Sequence, residues 1–292
     1  MKYYTKEWYN LVQHCSHHYG LKVSHSAQNF SEEYYQKLYN KKLNKYLKSE
    51  KRQSELTVDD VYGVESGKEG FKVVIKSNDM TEEECLREAE EIQKEILEAR
   101  AAFVPSIYDE KESIERFNDS LKSRIDDLKN TIPEEILKNI VDIRVFSLGI
   151  ASKYVKKSVR KWCENNDKEV KRILDECGKT LTLNSNAIGE DIITNYMFHD
   201  REITSVTYTE DEFIIELDNA GGFTDIDKVI FKNYSIIEKD ENLKGAIWLY
   251  EEIYPTNSGN EYHALLWGNK GKLLYLTVVA SDIEFQKKEH LL

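Results

Sequence analysis

The hydrophobic rhythm of the chain changes near residue 180, and this change constrains the fold more than any other feature. From Thr5 to Gly178, apolar residues recur every three or four positions, which is the period of amphipathic helices. After Gly178, β-branched and aromatic residues alternate with polar ones in short runs, which is the period of half-buried strands. With 292 residues, the chain is long enough for two domains. The sequence predicts an α+β protein with a helical bundle at residues 1–179 and an antiparallel β-rich domain at residues 180–292.

Seven helices are predicted in the first part. The first helix carries Trp8 and Cys15 on one face, and the fifth starts at Pro133, which suits the first position of a helix, and runs toward Gly149. Residues 71–75 fit either a short strand or an extended loop. The predicted N-caps share a short side chain that accepts a hydrogen bond from the first helical turn: Ser31, Thr81, Asp109, Ser152 and Asp167, the last of which opens a helix ending at Gly178.

Eight strands are predicted in the second part. Their connections are too short for crossover helices, so we expect an antiparallel meander or small barrel. Thr180 to His199 fits a bridging helix, and Asn219 to Gly222 fits a turn. The predicted strands are 203–208, 212–217, 228–231, 235–238, 246–254, 261–267, 273–279 and 283–285.

The composition excludes several protein classes. A hydrophobic content of 40% and an aromatic content of 11% exclude wholesale disorder. The longest apolar stretches fall far short of the roughly 20 residues of a membrane-spanning helix, and the first residues are charged where a secretory signal needs an apolar stretch. Four cysteines without a CxxC motif indicate reduced thiols. We therefore expect a cytoplasmic protein without a membrane partner.

The net charge of −12 is unevenly distributed. Residues 180–292 contain 9 Lys and Arg against 20 Asp and Glu, whereas residues 1–179 contain 32 against 33. An acidic surface repels phosphate backbones, so the second part is poorly suited to nucleic acid. The acidity fits either a cationic partner or simple solubility.

A basic stripe is predicted on the sixth helix, where five cations fall on one face with no acid among them. Opposite them, Val155 and Val159 mark the buried face. A solvated helix face is the commonest explanation for such a stripe, while docking of the acidic sheet, an acidic protein or RNA are the alternatives. The stripe consists of Lys153, Lys156, Lys157, Arg160 and Lys161.

A histidine cluster lies near the start of the chain. On a helix, His14 and His18 lie one turn apart, as two zinc ligands would, and His17 lies beside them. The HExxH pattern of zinc hydrolases is absent. The cluster therefore fits either a zinc site or a polar loop in which the first helix ends.

A hairpin in the predicted sheet brings two titratable side chains together. If residues 255–260 form the loop, the symmetric register pairs Glu252 with His263 and places Trp248 opposite Trp267. A neighbouring carboxylate favours the protonated form of His263. A one-residue bulge would pair Glu251 with His263 instead. The pair fits either a structural cross-strand contact or a site for acid–base chemistry or pH-sensitive binding.

Three segments of the sequence carry a resemblance: residues 3–9 (YYTKEWY), 142–152 (DIRVFSLGIAS) and 245–254 (GAIWLYEEIY). They resemble a family of uncharacterised bacterial proteins that is catalogued as a domain of unknown function. The resemblance implies a bacterial, cytoplasmic protein whose family spans almost the whole chain. It implies no activity, substrate or catalytic residue.

Function is therefore predicted from surfaces rather than from a catalytic motif. The chain contains no P-loop, no GxGxxG after a strand and no GxSxG elbow. We expect a non-catalytic binding or regulatory protein that needs no cofactor and has a protein partner, with an immunity-like role as one form of this function. The alternatives are a zinc-dependent hydrolase built on the histidine cluster and an RNA-binding protein that uses the basic stripe.

Overall fold

The computed structural model describes residues 1–64, 71–75, 80–218, 224–240 and 242–287. The chain forms two compact units, one of Met1–Tyr19 with Val159–Leu292 and one of Gly20–Ser158. The division into independently folding domains at residue 179 stays a prediction. The turn predicted at residues 219–222 lies outside the described residues.

The helices follow the predicted capping signals. The side chains of Ser31, Thr81 and Asp109 accept hydrogen bonds from the first turns of their helices, and Ser152 accepts one from the Val155 amide. The helices of the described residues are α1 (Lys6–Gln13), α2 (Glu32–Ser54), α3 (Val58–Tyr62), α4 (Glu82–Ala102), α5 (Glu110–Thr131), α6 (Glu134–Leu137), α7 (Ile143–Ser147), α8 (Lys153–Ile188) and α9 (Glu190–Asn195).

The predicted sixth and seventh helices are one continuous helix, α8. Asp167 does not cap a new helix but pairs with Lys171 one turn later, at 2.6 Å. Gly178 lies inside α8, where a glycine costs about 1 kcal/mol relative to alanine. Burial of Val159 and Cys163 on the same helix stabilises it by more than this cost.

Two other helix predictions were wrong in detail. The predicted fifth helix is two short helices, α6 and α7, because Asp142 accepts a hydrogen bond from the Arg144 amide and opens a new helix. The first helix ends at Gln13 and continues as a 3₁₀ turn over His14–Ser16. Residues 71–75 form neither a helix nor a strand.

All eight predicted strands are confirmed, and two very short strands are added. The added strands pair in parallel within the Gly20–Ser158 unit and are too short to show a periodic pattern. The strands of the described residues are β1 (Lys22–Val23), β2 (Ile150–Ala151), β3 (Ile203–Tyr208), β4 (Glu212–Leu217), β5 (Ile226–Lys232), β6 (Ser235–Lys239), β7 (Ile247–Thr256), β8 (Gly259–Trp267), β9 (Leu273–Ala280) and β10 (Asp282–Lys287).

The last eight strands form two antiparallel four-stranded sheets and no closed barrel. Their orders are β10-β5-β4-β3 and β6-β9-β8-β7. The chain passes from one sheet to the other between β5 and β6 and again between β9 and β10. At this corner Asn233, which has a φ of 48°, donates a hydrogen bond of 2.9 Å to the Ser281 hydroxyl.

One hydrophobic core joins the two sheets. It contains Phe213 and Phe231 from one sheet, Trp248 and Tyr262 from the other, and Tyr196 from the segment after α9. Their rings meet at centroid distances of 5.2 to 5.6 Å in several of these pairs. Within the described residues, no helix has the length and apolarity needed to cross a membrane.

Candidate ligand-binding site

Glu252 on β7 anchors the beginning of the chain to the sheet. Its carboxylate is 5% exposed and accepts hydrogen bonds from the backbone amides of Lys2, Tyr3 and Tyr4 at 2.7, 2.8 and 2.6 Å. The Tyr254 hydroxyl donates to the same carboxylate. Four donors on one carboxylate hold it in a fixed position.

The predicted pairing of Glu252 with His263 is confirmed by the β7–β8 register. The carboxylate that contacts the ring is nevertheless Glu261, 3.0 Å from Nε2. On the other side of the ring, Nδ1 lies 3.0 Å from the Thr277 hydroxyl and 2.9 Å from the Met1 amino nitrogen.

The predicted direction of the His263 pKa was wrong. Burial is the largest cause and lowers the pKa of the imidazole, and the Met1 amino group lowers it further. Glu261 and Glu252 raise the pKa but do not outweigh burial. The neutral imidazole is therefore favoured, and a functional role for His263 stays a prediction.

A bulge in β7 redirects Trp248. Tyr250 pairs with Leu265, but the register shifts between Trp248 and Tyr250. Trp248 therefore pairs with Leu266 rather than with Trp267, and its ring is fully buried in the core. The predicted placement of Trp248 opposite Trp267 was therefore wrong, and Trp248 packs inside the molecule instead.

Glu251 shares the inner side of β7 with Trp248. The Trp248 indole N–H donates a 3.0 Å hydrogen bond to Glu251 Oε2. Burial raises the pKa of the Glu251 carboxyl to about 7, although hydrogen bonds from Trp248 and from the Phe198 amide lower it in part. A carboxyl that titrates near neutral pH is typical of functional sites.

Glu251 lines a cavity of about 260 Å³ within the unit that contains both sheets. The lining is mainly apolar and aromatic. Met197 in the wall is 54% exposed, so the wall reaches the protein surface there. The lining comes from Tyr3 and Tyr4 at the start of the chain, from Cys177, Thr180 and Leu181 on α8, from Ile193 on α9, from Tyr196 and Met197, and from residues 250–254 on β7.

Several other polar groups of the cavity are paired with one another. The hydroxyl groups of Tyr3 and Thr180 lie 2.7 Å apart. The Tyr4 hydroxyl pairs with the Cys177 thiol, and burial raises the pKa of both groups. A thiol with a raised pKa is a poor nucleophile. These contacts fix the walls of the cavity rather than activate a group for chemistry.

The histidine cluster packs around aromatic rings. The rings of His14 and His17 each lie 5.6 Å from the Trp162 ring, and His18 lies 4.1 Å from Tyr19. Across the part of the chain that the structure describes, no group of three or more His, Cys, Asp or Glu side chains is arranged to hold a metal ion. Since His14 lies in a 3₁₀ turn, the α-helical spacing behind the zinc hypothesis does not apply.

The basic stripe is partly occupied by contacts within the chain. The Lys156 ammonium donates to the Leu21 carbonyl oxygen at 2.6 Å, and Arg160 pairs with Glu164 at 2.7 Å. Lys153, Lys157 and Lys161 are exposed. Recognition of an acidic protein or RNA by the stripe stays a prediction.

A comparison with known families finds a match that covers much of the chain. A family described as "Protein of unknown function (DUF4085)" matches residues 79–273, which is more than half of the chain. The chain belongs to this family. The DUF4085 match includes residues 142–152 and 245–254, two of the segments on which the resemblance was predicted, and therefore includes β7 with its bulge. It does not reach residues 3–9. No curated protein and no solved structure matches the chain.

Sequence reasoning did not single out Glu251 or the cavity. The sequence shows two adjacent glutamates on a strand, and alternation places one of them on each face of a sheet. It shows neither that both glutamates line a cavity nor which of the two carboxylates is filled by hydrogen bonds. The description of DUF4085 gives no activity, so the geometry of the cavity is the basis for a functional proposal.

Proposed function

We propose that this DUF4085 protein is a cytoplasmic binding protein without catalytic activity of its own, and that the cavity beside β7 is its ligand site. The observation that carries this proposal is the cavity itself, which has mainly apolar walls and a few fixed polar groups. Small-molecule sites in proteins have this composition, because apolar walls supply affinity and a few polar groups set orientation.

The cavity is large enough for a small organic molecule. A cavity of roughly 150 Å³ already admits a benzene-sized ligand, and this one has about 260 Å³. Most of its wall residues lie on α8, α9 and β7, and the hydrogen bonds of Glu252 and of Tyr3 with Thr180 hold the start of the chain in place. A preorganised wall lowers the entropy cost of binding.

The chemistry of the lining supports binding rather than catalysis. Among the described lining residues there is no histidine, so Cys177 has no imidazole base beside it there. Burial keeps the Cys177 thiol protonated by raising its pKa. The four cysteines are free thiols, which supports the cytoplasm as the compartment.

The test uses three probes on one framework, namely 2-phenylethylammonium, 2-phenylethanol and 3-phenylpropanoate. Ligand-observed NMR and titration calorimetry measure their binding to the full chain. In the variant Ile193→Trp, the larger ring occupies the cavity, so binding should be lost. The matched control Thr194→Trp places the same ring on the exposed side of α9, and binding should persist.

The outcomes separate clearly. Binding of at least one probe that Ile193→Trp abolishes and Thr194→Trp retains supports the proposed site. The proposal fails if none of the three probes binds, or if Ile193→Trp leaves binding unchanged. Circular dichroism and thermal melting of both variants establish that a loss of binding does not reflect a loss of folding.

A further inference from the structure

Resting on the proposed function, we infer that the cavity selects a small organic ammonium ion, an amine with a short apolar or aromatic body, and that Glu251 accepts hydrogen bonds from its ammonium group. The position of Glu251, the charges around it and the aromatic walls all favour such a ligand. Each of these is a property of the residues that line the cavity.

Glu251 is held in place and still has acceptor capacity. The fully buried Trp248 ring fixes Oε2 through the 3.0 Å hydrogen bond from its indole N–H. The Phe198 amide supplies a second donor. An ionised carboxylate has about four lone-pair sites. These two donors leave acceptor capacity on a residue that belongs to the cavity lining.

The walls supply no positive charge to Glu251. Among the described lining residues there is no lysine, arginine or histidine. A buried carboxylate without a cationic partner is costly, and a cationic ligand would offset this cost. The other titratable groups of the lining are Tyr3 and Tyr4 at the start of the chain, Cys177 on α8, Tyr196 after α9, and Tyr250, Glu252 and Tyr254 on β7.

Glu252 does not compete for the ligand, because its carboxylate is already occupied by three amides and the Tyr254 hydroxyl. The tyrosines of the lining add a second attraction for a cation. The face of an aromatic ring carries partial negative charge and attracts ammonium groups. A carboxylate together with aromatic walls therefore suits an organic ammonium ion better than an anion or a neutral molecule.

The negative charge of the surrounding sequence also favours a cationic ligand. Residues 180–292 carry 20 acidic against 9 basic side chains. Such an excess raises the local concentration of cations and speeds their association, and it repels anions. The same excess opposes entry of a carboxylate or phosphate ligand into the cavity.

Ionisation of Glu251 should make the affinity for an ammonium ligand depend on pH. Burial raises the pKa of Glu251 to about 7, so roughly half of the molecules carry a proton there at neutral pH. An ammonium ligand favours the ionised form and displaces this proton. The amine itself stays charged, because an alkylamine has a pKa of about 10. Affinity should therefore rise from pH 6 to pH 8.

The experiment measures the affinity of 2-phenylethylammonium, 2-phenylethanol and 3-phenylpropanoate at pH 6 and pH 8 by titration calorimetry. We expect the ammonium probe to bind at least about tenfold more tightly than the alcohol at pH 8. Glu251→Gln keeps an acceptor for Trp248 but removes the charge. It should weaken binding of the ammonium probe by about tenfold or more, remove its pH dependence and leave the alcohol unaffected.

A matched control separates the local charge from the net charge. Glu238 is an exposed carboxylate on β6 outside the lining, and Glu238→Gln changes the net charge equally. This control should leave the affinity of the ammonium probe unchanged. Thermal melting shows whether each variant is folded.

The result that would overturn the inference differs from the result that would overturn the proposed function. Equal affinity for the ammonium probe and the alcohol, or an unchanged affinity in Glu251→Gln, rejects the ammonium class while the cavity remains a binding site. Absence of binding by all three probes rejects the binding function and the ligand class together.

Discussion

The buried carboxyl of Glu251 should make the stability of the protein depend on pH in a specific way. Burial raises its pKa from 4.5 in the unfolded chain to about 7 in the folded protein. The folded state therefore binds the proton more tightly. This contribution to the free energy of unfolding is fully present below about pH 4.5 and is lost as pH rises through 7.

The magnitude follows from the size of the shift. One pKa unit corresponds to about 1.4 kcal/mol, so the shift of Glu251 is worth roughly 3 kcal/mol. Glu251→Gln is neutral at every pH and keeps a carbonyl acceptor for the Trp248 indole. We expect the variant to match the wild type at pH 4.5 and to be more stable by up to roughly 3 kcal/mol at pH 8.

Urea unfolding followed by circular dichroism at pH 4.5, 6, 7 and 8 measures this difference. Glu238→Gln serves as the control, because the Glu238 side chain is exposed and the substitution changes the net charge equally. If the difference between Glu251→Gln and the wild type does not grow with pH, or if the variant is the less stable protein at pH 8, the assignment of a desolvated carboxyl at Glu251 is refuted.

Three further predictions concern other parts of the same unit. Glu252→Ala should lower the free energy of unfolding by about 3 kcal/mol or more in urea titrations, because three backbone amides lose their acceptor, and Glu252→Gln should lower it less. Gly259→Ala should destabilise the protein by more than about 2 kcal/mol in the same assay, because φ is +136° and the new methyl would lie 2.1 Å from the Ala280 carbonyl oxygen; an unchanged midpoint would contradict this. The pKa of His263 is lowered by burial, so the free energy of unfolding should fall as pH drops below 6.5. In the Glu251→Gln background, His263→Asn should reduce this fall in thermal melts between pH 5 and 7.

Local patterns in the sequence predict much of the fold. Alternation locates all eight strands of the two sheets, and the symmetry of the hairpin predicts that Glu252 pairs with His263. The N-caps Ser31, Thr81 and Asp109 mark helix starts, because their side chains bond to amides only a few residues away. These signals are readable because they act over short distances along the chain.

Features that depend on tertiary packing are not readable in the same way. Asp167 and Gly178 look like a helix start and a helix end, yet packing of the buried face of α8 outweighs both signals. The bulge after Trp248 has no marker residue, so the sequence does not predict that this ring enters the core. The direction of the His263 pKa depends on burial, which the cross-strand neighbour alone does not determine.

The candidate site was missed for the same reason. Glu251 and Glu252 are adjacent, identical in type and both part of the cavity lining, and packing alone fills the acceptor sites of Glu252 while Glu251 bonds to the Trp248 indole. The cavity lining combines the start of the chain with α8 and β7, which are far apart in the sequence. Only the folded chain brings these segments together.

The corner at Asn233 and Ser281 has a consequence for how the β-structure assembles. The chain turns there from β5 to β6 and from β9 to β10. β5 pairs with β10 in one sheet and β6 pairs with β9 in the other, although these partners are distant in sequence. Closing the loop between them has an entropic cost. One closure brings together the strand pairs of both sheets, so this cost arises only once. Neither sheet reaches its full set of strands without the other, so the two should form and melt as one cooperative unit, slowly and without a half-assembled intermediate.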